Sequence, residues 1–430
     1  MARLGALVAG AFDGNAPTVV HRGLMDTSSV LVPNVLATTA RSVAATDKLR
    51  VLIYSTDMGG GHDAMANAIK GELLARFPDA VHVEVSNGLQ IGNPRLHQMM
   101  RDTYAAQLKY APGSYDSLYN VLSNPFAARV TDTISRTLTQ GRLLDDIARR
   151  EPDVILSTFP QLTGTLGHLR ADGRVKVPVM GVVIDSDPHR AWVSKGADEH
   201  LVLNAADLPR IAKFGSAKEP ITGRAIRPPV DTRSFQHYDV AAARDAFGLP
   251  KDQKVLLVSG GSWGLALPEE ELHRILAETD LHLAIATGRN EQAFNHLKAT
   301  FPADRVTPIP FTREMPQLLA ASDGMLTNSA GMTTMEGFAR GRPIVLYRPI
   351  VGHGVDGAAA LDEDRLATYA TDASEAIGAL RRIERGDDPE LLARVANARA
   401  LFDDGDRASD IVMDAATASR ADRAVRVPAG

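Results

Sequence analysis

Residues 51–62 read Val51-Leu-Ile-Tyr-Ser-Thr-Asp-Met-Gly-Gly-Gly-His62, a short apolar run followed by three consecutive glycines and a histidine. A second stretch, Val255-Leu-Leu-Val-Ser-Gly-Gly-Ser-Trp-Gly264, repeats the arrangement. An apolar strand that enters a glycine-rich turn is typical of parallel α/β sheets, in which ligands bind at the carboxyl ends of the strands. The two stretches therefore predict two similar halves whose turns face a common cleft.

Around these turns, short apolar runs alternate with longer amphipathic stretches, which indicates βαβ units. The predicted strands of the first half cover residues 51–54, 81–85, 154–158, 177–184, 199–203 and 220–221. Those of the second half cover 254–259, 282–287, 306–308, 324–327 and 344–347. Two prolines in 227–234 indicate a linker. We expect a weakly structured extension over 1–48, domains over 49–232 and 233–405, and a closing helix and tail over 406–430.

Composition excludes several classes of protein. A chain of 430 residues exceeds the size of one ordinary core, and its apolar runs are too short to cross a bilayer. It has no cysteine, which rules out disulfides, thiolate catalysis and thiolate-bound metal. The formal net charge of -5 does not indicate nucleic-acid binding, which usually requires a clearly basic domain.

His62 stands after the three glycines, at the start of a predicted helix. The glycines allow a tight turn, and the helix start, from Gly61 onward, can offer N–H groups to a ligand. An imidazole titrates near neutral pH, so His62 suits a general base that deprotonates an acceptor hydroxyl. A glycine-rich turn with a capping histidine has the same sequence. A nicotinamide-binding turn needs G-x-G-x-x-G and an acidic residue after the second strand, where this chain has Ser86 and Asn87.

The strongest local signal is Thr327-Asn-Ser-Ala-Gly-Met-Thr-Thr-Met-Glu336, which runs from a strand through small and hydroxyl-bearing residues into a helix. Gly331, Thr333 and Thr334 can offer donors to a diphosphate at the helix N-terminus. The Glu336 carboxylate can accept hydrogen bonds from two ribose hydroxyls. The alternative is an ordinary helix start in which Glu336 completes a capping box.

Other residues suit a sugar nucleotide with less specificity. Ser262 supplies a hydroxyl in the second glycine-rich turn, which favours the nucleotide interpretation of the Thr327–Glu336 segment. Arg227, near the linker, is a suitable cation for a diphosphate or else a surface arginine. His353 and Asp356 follow a predicted strand and can contact sugar hydroxyls, although turn-forming residues look the same.

The segment Ile184-Asp-Ser-Asp-Pro-His-Arg-Ala-Trp192 concentrates polar residues at a strand end. Asp185 or His189 can assist His62, and Trp192 can line an acceptor pocket. Asp185 and Asp187 imitate a metal-binding pair, but aspartates one residue apart are common in turns. We expect no metal and no cofactor.

Residues 94–124 carry several tyrosines, Tyr104 among them, on helices that also hold leucines and basic residues. These rings either pack on the sheet or form an exposed face for a hydrophobic acceptor or a membrane surface.

The motif Asp57-Met-Gly-Gly-Gly-His-Asp-Ala-Met-Ala-Asn-Ala-Ile69 resembles that of the family joining monogalactosyldiacylglycerol synthases and processive diacylglycerol glucosyltransferases to the peptidoglycan enzyme that adds N-acetylglucosamine to lipid I. The resemblance covers residues 49–400. Segments 104–119 and 185–192 are similar to the acceptor side of that family. The segment Thr222-Gly-Arg-Ala-Ile-Arg-Pro228 resembles its Thr-Gly-x-Pro-Val-Arg, in which the last arginine, here Arg227, contacts the diphosphate.

The resemblance implies a GT-B fold, in which two Rossmann-like domains face a central cleft, and a UDP-sugar donor whose sugar is transferred with inversion. It places Gly261, Ser262, Arg289 and Glu336 in the donor site, with Phe311 and Thr312 where the backbone reads uracil. The chain departs from the family at His353-Gly-Val-Asp356, where glutamines usually read the sugar. Galactose, glucose and N-acetylglucosamine therefore all stay open.

We therefore expect a cytoplasmic hexosyltransferase that contacts the membrane surface and binds no nucleic acid. Its acceptor is a hydroxyl of diacylglycerol, a polyprenyl-linked compound or a secondary metabolite. The alternatives are an isomerase like the UDP-sugar 2-epimerases, a non-catalytic nucleotide-sugar-binding protein, and a nicotinamide dehydrogenase.

Overall fold

A computed structural model describes residues 48–110, 125–260, 267–350, 352–403 and 405–426. Some predictions concern residues outside these ranges: the N-terminal extension, the distal part of the 94–124 segment, and Gly261 and Ser262 in the second glycine-rich turn. The side chains of Tyr104 and His353 also lie outside the described part.

In its described ranges, the first half alternates six strands with helices. The strands are β1 (Leu49–Ser55), β2 (Val81–Asn87), β3 (Val154–Ser157), β4 (Val179–Val183), β5 (Glu199–Val202) and β6 (Gly223–Ala225). The helices are α1 (Gly61–Arg76), α2 (Gly88–Gly92), α3 (Pro94–Tyr110), α4 (Pro125–Arg150), α5 (Pro160–Ala171) and α6 (Asp207–Ala212), with a 3-10 turn at Arg190–Trp192.

The second half follows a 3-10 turn at Thr232–Phe235. Its described strands are β7 (Val255–Ser259), β8 (His282–Gly288), β9 (Val306–Pro310), β10 (Gly324–Thr327), β11 (Ile344–Tyr347) and β12 (Thr368–Ala370). Its helices are α7 (Val240–Phe247), α8 (Glu269–Glu278), α9 (Glu291–Thr300), α10 (Met315–Ala321), α11 (Met332–Ala339), α12 (His353–Glu363), α13 (Ala373–Arg385), α14 (Pro389–Ala400) and α15 (Ala408–Arg426).

The strands form two parallel sheets, ordered β2-β1-β3-β4-β5-β6 and β12-β11-β10-β7-β8-β9. The central strands β3, β4, β7 and β10 are buried at every position and are mostly apolar, because helices cover both faces of each sheet. In each sheet the order reverses beside the strand that enters a glycine-rich turn, which is where such sheets bind ligands. The predicted pair of doubly wound sheets is confirmed.

Strand pairing brings the ends of distant segments together. Tyr54 of β1 pairs with Ser157 of β3, and Ser259 of β7 pairs with Thr327 of β10. The first glycine-rich turn therefore starts beside Thr158, and the second starts beside the residues that follow Thr327.

Two strands differ from the sequence prediction. The strand predicted at 220–221 is wrong: β6 lies at Gly223–Ala225 and pairs with β5 at the edge of the sheet. A Cβ on Gly223 would lie 2.5 Å from Ile211 Cδ1, which places β6 closely against α6. Strand β12 was not predicted, because three residues give too short a pattern to recognise.

Helix α15 comes last in the chain but packs on the first half, against β1, β3 and α1. Its Arg420 donates to the Asp153 carboxylate at 2.5 Å, and Arg423 donates to the same group. The side chain of Asp153 is 2% exposed, so both arginines neutralise a buried charge. None of the described helices combines the length and the apolar character that a bilayer crossing requires.

Candidate active site

The turn after β1 requires glycine at two positions. Gly59 and Gly60 have φ angles of 79° and 81°, in the left-handed region that costs a residue with a Cβ about 1–2 kcal/mol. Gly60 is the N-cap of α1, and Gly61 is its first residue. A Cβ on Gly61 would lie 3.7 Å from Ile184 Cδ1, which places the turn against the end of β4.

The imidazole of His62 is held by a backbone carbonyl. Its Nδ1 lies 2.6 Å from the carbonyl oxygen of Thr158, and the Thr158 hydroxyl donates to the carbonyl of His62 at 3.1 Å. Because a carbonyl oxygen can only accept, we assign the proton to Nδ1, and in the neutral ring Nε2 carries the lone pair. The rings of Phe159 and Trp192 pack at centroid distances of 4.9 Å and 5.9 Å. The ring orientation is thus fixed, and Nε2 is the nitrogen that can take up a proton.

Asp185 reaches this group through Trp192. The indole Nε1 donates to Asp185 Oδ2 at 2.6 Å, and the Trp192 ring packs beside His62. His189 Nδ1 accepts the N–H of Ala191 at 3.3 Å, and its ring centroid lies 6.5 Å from that of Trp192. Asp185, His189 and Trp192 therefore lie on one loop next to His62.

The sequence allowed two interpretations of Asp185 and Asp187: a metal-binding pair or an ordinary turn. Asp187 has a φ of 51° and lies 3.6 Å from Lys213 Nζ, whereas Asp185 accepts from Trp192. Across the described ranges, no three His, Asp or Glu side chains are grouped so as to hold a metal ion.

Helix α11 begins at Met332, with Gly331 as its N-cap. A glycine N-cap has no side chain, so the capping box considered for Glu336 does not form. The Gly331 N–H donates to Ser329 Oγ at 3.3 Å. Thr333 is partly exposed in the first turn, where backbone N–H groups lack intrahelical acceptors. This helix start has the geometry that suits an anion.

Thr334 has a different position from the one predicted. Its side chain is buried, and its hydroxyl donates to the Ser329 carbonyl at 2.7 Å. The hydroxyl therefore shapes the turn and is not directed at a ligand.

Glu336 lies half-buried one turn into α11. Removal from water, followed by the negative charge of Asp231, raises the pKa of its carboxyl to about 7, while Arg233 opposes the rise. Arg233 pairs with Asp231 at 2.7 Å and with Glu314 at 2.8 Å. A carboxyl with such a pKa changes charge in the physiological range.

Arg289 and Phe311 form a stacked pair. The guanidinium carbon lies 4.4 Å from the ring centroid, and Phe311 is 44% exposed. Thr312 Oγ1 accepts the N–H of Glu314 at 2.9 Å. Arg289, Phe311 and Thr312 therefore lie together beyond β8 and β9, on the same carboxyl edge as α11.

Arg227 lies where the chain crosses between the halves. Its Nε donates to the carbonyl of Gly405 at 2.9 Å, and its backbone N–H donates to the carbonyl of Asp406 at the same distance. In this structure Arg227 thus ties the linker to the segment that leads into α15.

The two halves are in contact where α12 meets the loop after β4. Gly352 precedes α12 with a φ of 83°, and Asp356 is exposed in the first turn. A Cβ on Gly357 would lie 3.2 Å from the carbonyl oxygen of Ser186 and 3.3 Å from Ala330 Cβ. Gly357 of α12 therefore lies where this helix meets both the loop that carries Asp185 and the turn before α11.

Helices α1 and α11 also pack against each other, and the 3-10 turn at Thr232–Phe235 packs on both. Met65 and Ile69 of α1 share one hydrophobic cluster with Met332 and Met335 of α11. One helix starts at the His62 turn and the other at the Gly331 turn, so the two turns belong to one inter-half junction.

Sequence analysis did not identify Thr158 and Phe159 as site residues. Both follow β3, and the pairing of β3 with β1 puts them beside His62. A possible signal was the predicted strand over 154–158, because the carboxyl ends of adjacent parallel strands meet at one edge.

Comparison with known proteins supports the family resemblance. Residues 62–222 match the family Monogalactosyldiacylglycerol (MGDG) synthase. The processive diacylglycerol beta-glucosyltransferase of Bacillus subtilis is 26% identical over 333 residues, covering 76% of this chain and 85% of that protein. The enzyme of the same name from Bacillus pumilus is 25% identical over 317 residues, covering 72% and 80%.

Solved structures share the fold at low sequence identity. The structure of Phytolacca americana UGT2, complexed with UDP-2fluoro-glucose and pterostilbene, superposes with a TM-score of 0.54 at 14% identity. It covers 87% of this chain and 100% of that one. The chain is therefore a glycosyltransferase of the GT-B fold, related to the monogalactosyldiacylglycerol synthases and the processive diacylglycerol glucosyltransferases.

Proposed function

We propose that this enzyme transfers a hexose or N-acetylhexosamine from a UDP-sugar to a hydroxyl of a lipid-like acceptor, with inversion at the anomeric carbon. The observation that carries the proposal is the hydrogen bond from His62 Nδ1 to the Thr158 carbonyl, at 2.6 Å. It assigns the Nδ1 proton, so that Nε2 is the basic nitrogen of an oriented imidazole, as a general base requires.

In the proposed step, His62 Nε2 takes the proton of the acceptor hydroxyl as its oxygen attacks the anomeric carbon. The bond between that carbon and the β-phosphate oxygen breaks, and UDP leaves with the electron pair. Attack from the face opposite the leaving group inverts the configuration. Thr158, Phe159 and Trp192 keep the ring in one orientation, so no reorganisation is needed during transfer.

The donor is proposed to bind on the second half. The N-terminus of α11 at Gly331 and Thr333, together with Ser262 and Gly261, would stabilise the charge that grows on the diphosphate. Glu336 would accept hydrogen bonds from the ribose, and backbone groups near Phe311 would read uracil. Arg227 is proposed to contact the diphosphate, which requires it to leave the Gly405 carbonyl. His353 and Asp356, at the start of α12, are proposed to face the sugar.

The acceptor is proposed to be a glycerolipid such as diacylglycerol. The related Bacillus enzymes are named for that acceptor. Helices α3 and α4 expose apolar side chains: Met99 is 59% exposed, Ile134 55% and Leu138 48%. Arg101 and Arg136 on the same helices are also exposed or half-exposed, a combination that suits an anionic membrane surface. We therefore propose peripheral contact with the cytoplasmic face of the membrane.

The test begins with a panel of UDP-sugars screened by thermal shift, followed by UDP release in the presence of diacylglycerol micelles. His62→Ala should lower kcat by about 10²–10⁴-fold while UDP affinity stays unchanged. His82→Ala is the matched control, since His82 lies on the exposed face of β2 and pairs with Glu84. An alanine variant at position 62 that keeps nearly full activity would show that the base is elsewhere.

Product analysis tests the remaining parts of the proposal. The NMR coupling constant of the anomeric proton in the product should correspond to the configuration opposite to that of the donor. A retained configuration would refute direct displacement. Conversion of the UDP-sugar without any acceptor would instead indicate an isomerase.

A further inference from the structure

Arg210 of α6 connects the two halves through its guanidinium group. Its Nη1 and Nη2 donate to the two carboxylate oxygens of Asp364 at 2.9 Å and 3.1 Å. Nη1 also donates to Asp207 Oδ1 at 2.9 Å, and Asn204 Nδ2 donates to Asp364 Oδ2 at 2.8 Å. The side chains of Arg210, Asp207 and Asp364 are 16%, 3% and 13% exposed, so water screens this network weakly. Bidentate pairing with a carboxylate also fixes the orientation of the arginine guanidinium group.

Both ends of the network lead to the candidate active site. On the first half, Asp207 Oδ1 accepts the backbone N–H of Asp187 at 3.3 Å. Asp187 belongs to the loop over 184–192, which also carries Asp185 and Trp192 beside His62. On the second half, Asp364 is the C-cap of α12, whose first turn contains Asp356.

One face of α12 contacts both this loop and α6. Gly357 and Asp364 are seven residues apart, which is two helical turns and therefore the same face. Gly357 lies against the carbonyl of Ser186 in the loop, and Asp364 binds Arg210 of α6. Leu361, between them on that face, is 1% exposed. The backbone contact with the loop and the ion pair with α6, which itself binds the loop through Asp207, together hold α12 against the first half.

We propose that Arg210 is a positioning residue that holds the 184–192 loop against α12 during sugar transfer. The inference rests on the proposed function, because it assigns the base to one half and the donor sugar to the other. When the reacting groups lie on separate halves, the reaction rate depends on the distance between the halves. A displacement of about 1 Å can cost about 10²-fold in rate. The Arg210–Asp364 pair lies outside the reacting groups and acts only through the position of α12.

Asp364→Ala is the most direct test, because it removes the bidentate, weakly exposed pair between the halves without leaving Arg210 unpaired. Asp207 still pairs with Arg210 in this variant. Glu363→Ala is the matched control: Glu363 is adjacent and also lies 3.3 Å from Arg210 Nη2, but its side chain is 79% exposed. Asp364→Glu keeps the carboxylate and tests conservative rescue.

We expect Asp364→Ala to lower kcat by about tenfold to a hundredfold while the dissociation constant for UDP stays within about twofold of the wild type. Glu363→Ala should match the wild type, and Asp364→Glu should recover part of the rate. Since most of the proposed UDP contacts come from the second half, an unchanged UDP affinity separates lost positioning from a damaged fold. If Asp364→Ala lacks a cooperative thermal transition, the isosteric Asp364→Asn takes its place with the same expectation.

The inference is overturned if kcat of the Asp364 variant stays within about twofold of the wild type, or if Glu363→Ala loses as much. A parallel loss of UDP affinity would also overturn it, because the damage would then lie in the donor half. Failure of the proposed function looks different: the wild-type enzyme itself would transfer no sugar while still binding UDP.

Discussion

The raised pKa of Glu336 predicts a pH-dependent affinity for UDP. Its carboxyl has a pKa of about 7, against an ordinary value of 4.5. In the proposed donor site, ribose hydroxyls donate to this carboxylate, so binding favours its ionised form. The ionised fraction rises from about one eleventh at pH 6 to about ten elevenths at pH 8, a tenfold change or about 1.4 kcal/mol. Wild-type affinity for UDP should increase by about that factor over this range.

Isothermal titration calorimetry of wild type and Glu336→Gln tests this prediction. The terminal phosphate of UDP titrates near pH 6 by itself, but it does so in both proteins, so the ratio of their affinities isolates Glu336. Titrations in buffers of different ionisation enthalpy should show a proton released on binding to the wild type below pH 7. Glu270→Gln, which alters an exposed carboxylate of α8, is the control. The reasoning fails if wild type and Glu336→Gln show the same pH dependence.

The same pKa sets the sign of a stability effect without ligand. Folding raises the pKa of Glu336, so the folded state favours the neutral acid. The associated stability is fully present below pH 4.5 and is lost as pH rises through about 7. Relative to Glu336→Gln, the free energy of unfolding of the wild type should fall over this window, by at most about 3 kcal/mol. Chemical denaturation at several pH values measures the difference, and a wild type that gains stability on this comparison would contradict the assignment.

Three substitutions test the supports of the site. Gly60→Ala should lose about 1–2 kcal/mol of stability and most activity, measured by denaturation and UDP release, because its φ is 81°. Gly196→Ala should cost about 1–3 kcal/mol or more, since its Cβ would lie 2.1 Å from the Gly167 carbonyl oxygen. Asp153→Ala should cost about 1–3 kcal/mol, because it removes the acceptor of two arginines of α15 and of the backbone N–H of Arg50.

Gly71→Ala is the control for the two glycine substitutions. Gly71 lies inside α1, and no atom would lie within 4 Å of its new Cβ. It should gain about 0.5–1 kcal/mol of stability, because alanine favours the helix over glycine. If Gly60→Ala or Gly196→Ala behaved like Gly71→Ala, the strain assigned to those positions would be absent.

Local sequence patterns predicted the parts of the fold that local forces determine. The apolar runs that became β1 and β7, and the glycines at 59 and 60, signal a strand and a left-handed turn within a few residues. Strand β6 could not be placed that way, since its three residues form a strand only through pairing with β5.

The candidate site likewise contains residues that local sequence indicated and partners that it did not indicate. His62 was recognisable from its position after a glycine-rich turn. The carbonyl that orients it belongs to Thr158, 96 residues later, and every residue has a carbonyl, so no residue type indicated this role. The Arg210–Asp364 pair likewise depends on tertiary packing, since its residues are 154 positions apart. Only the structure shows which partners meet.

The return of α15 to the first half has a consequence for biosynthesis. The ribosome makes β1 and β3 before the second half, but the helix that covers them and neutralises Asp153 follows the second half in the chain. The first half is therefore completed only after the second half has been synthesised. A fragment that ends before residue 408 should expose the face of β1 and α1 that this helix covers, and it should require a chaperone or the separately supplied helix to remain in solution.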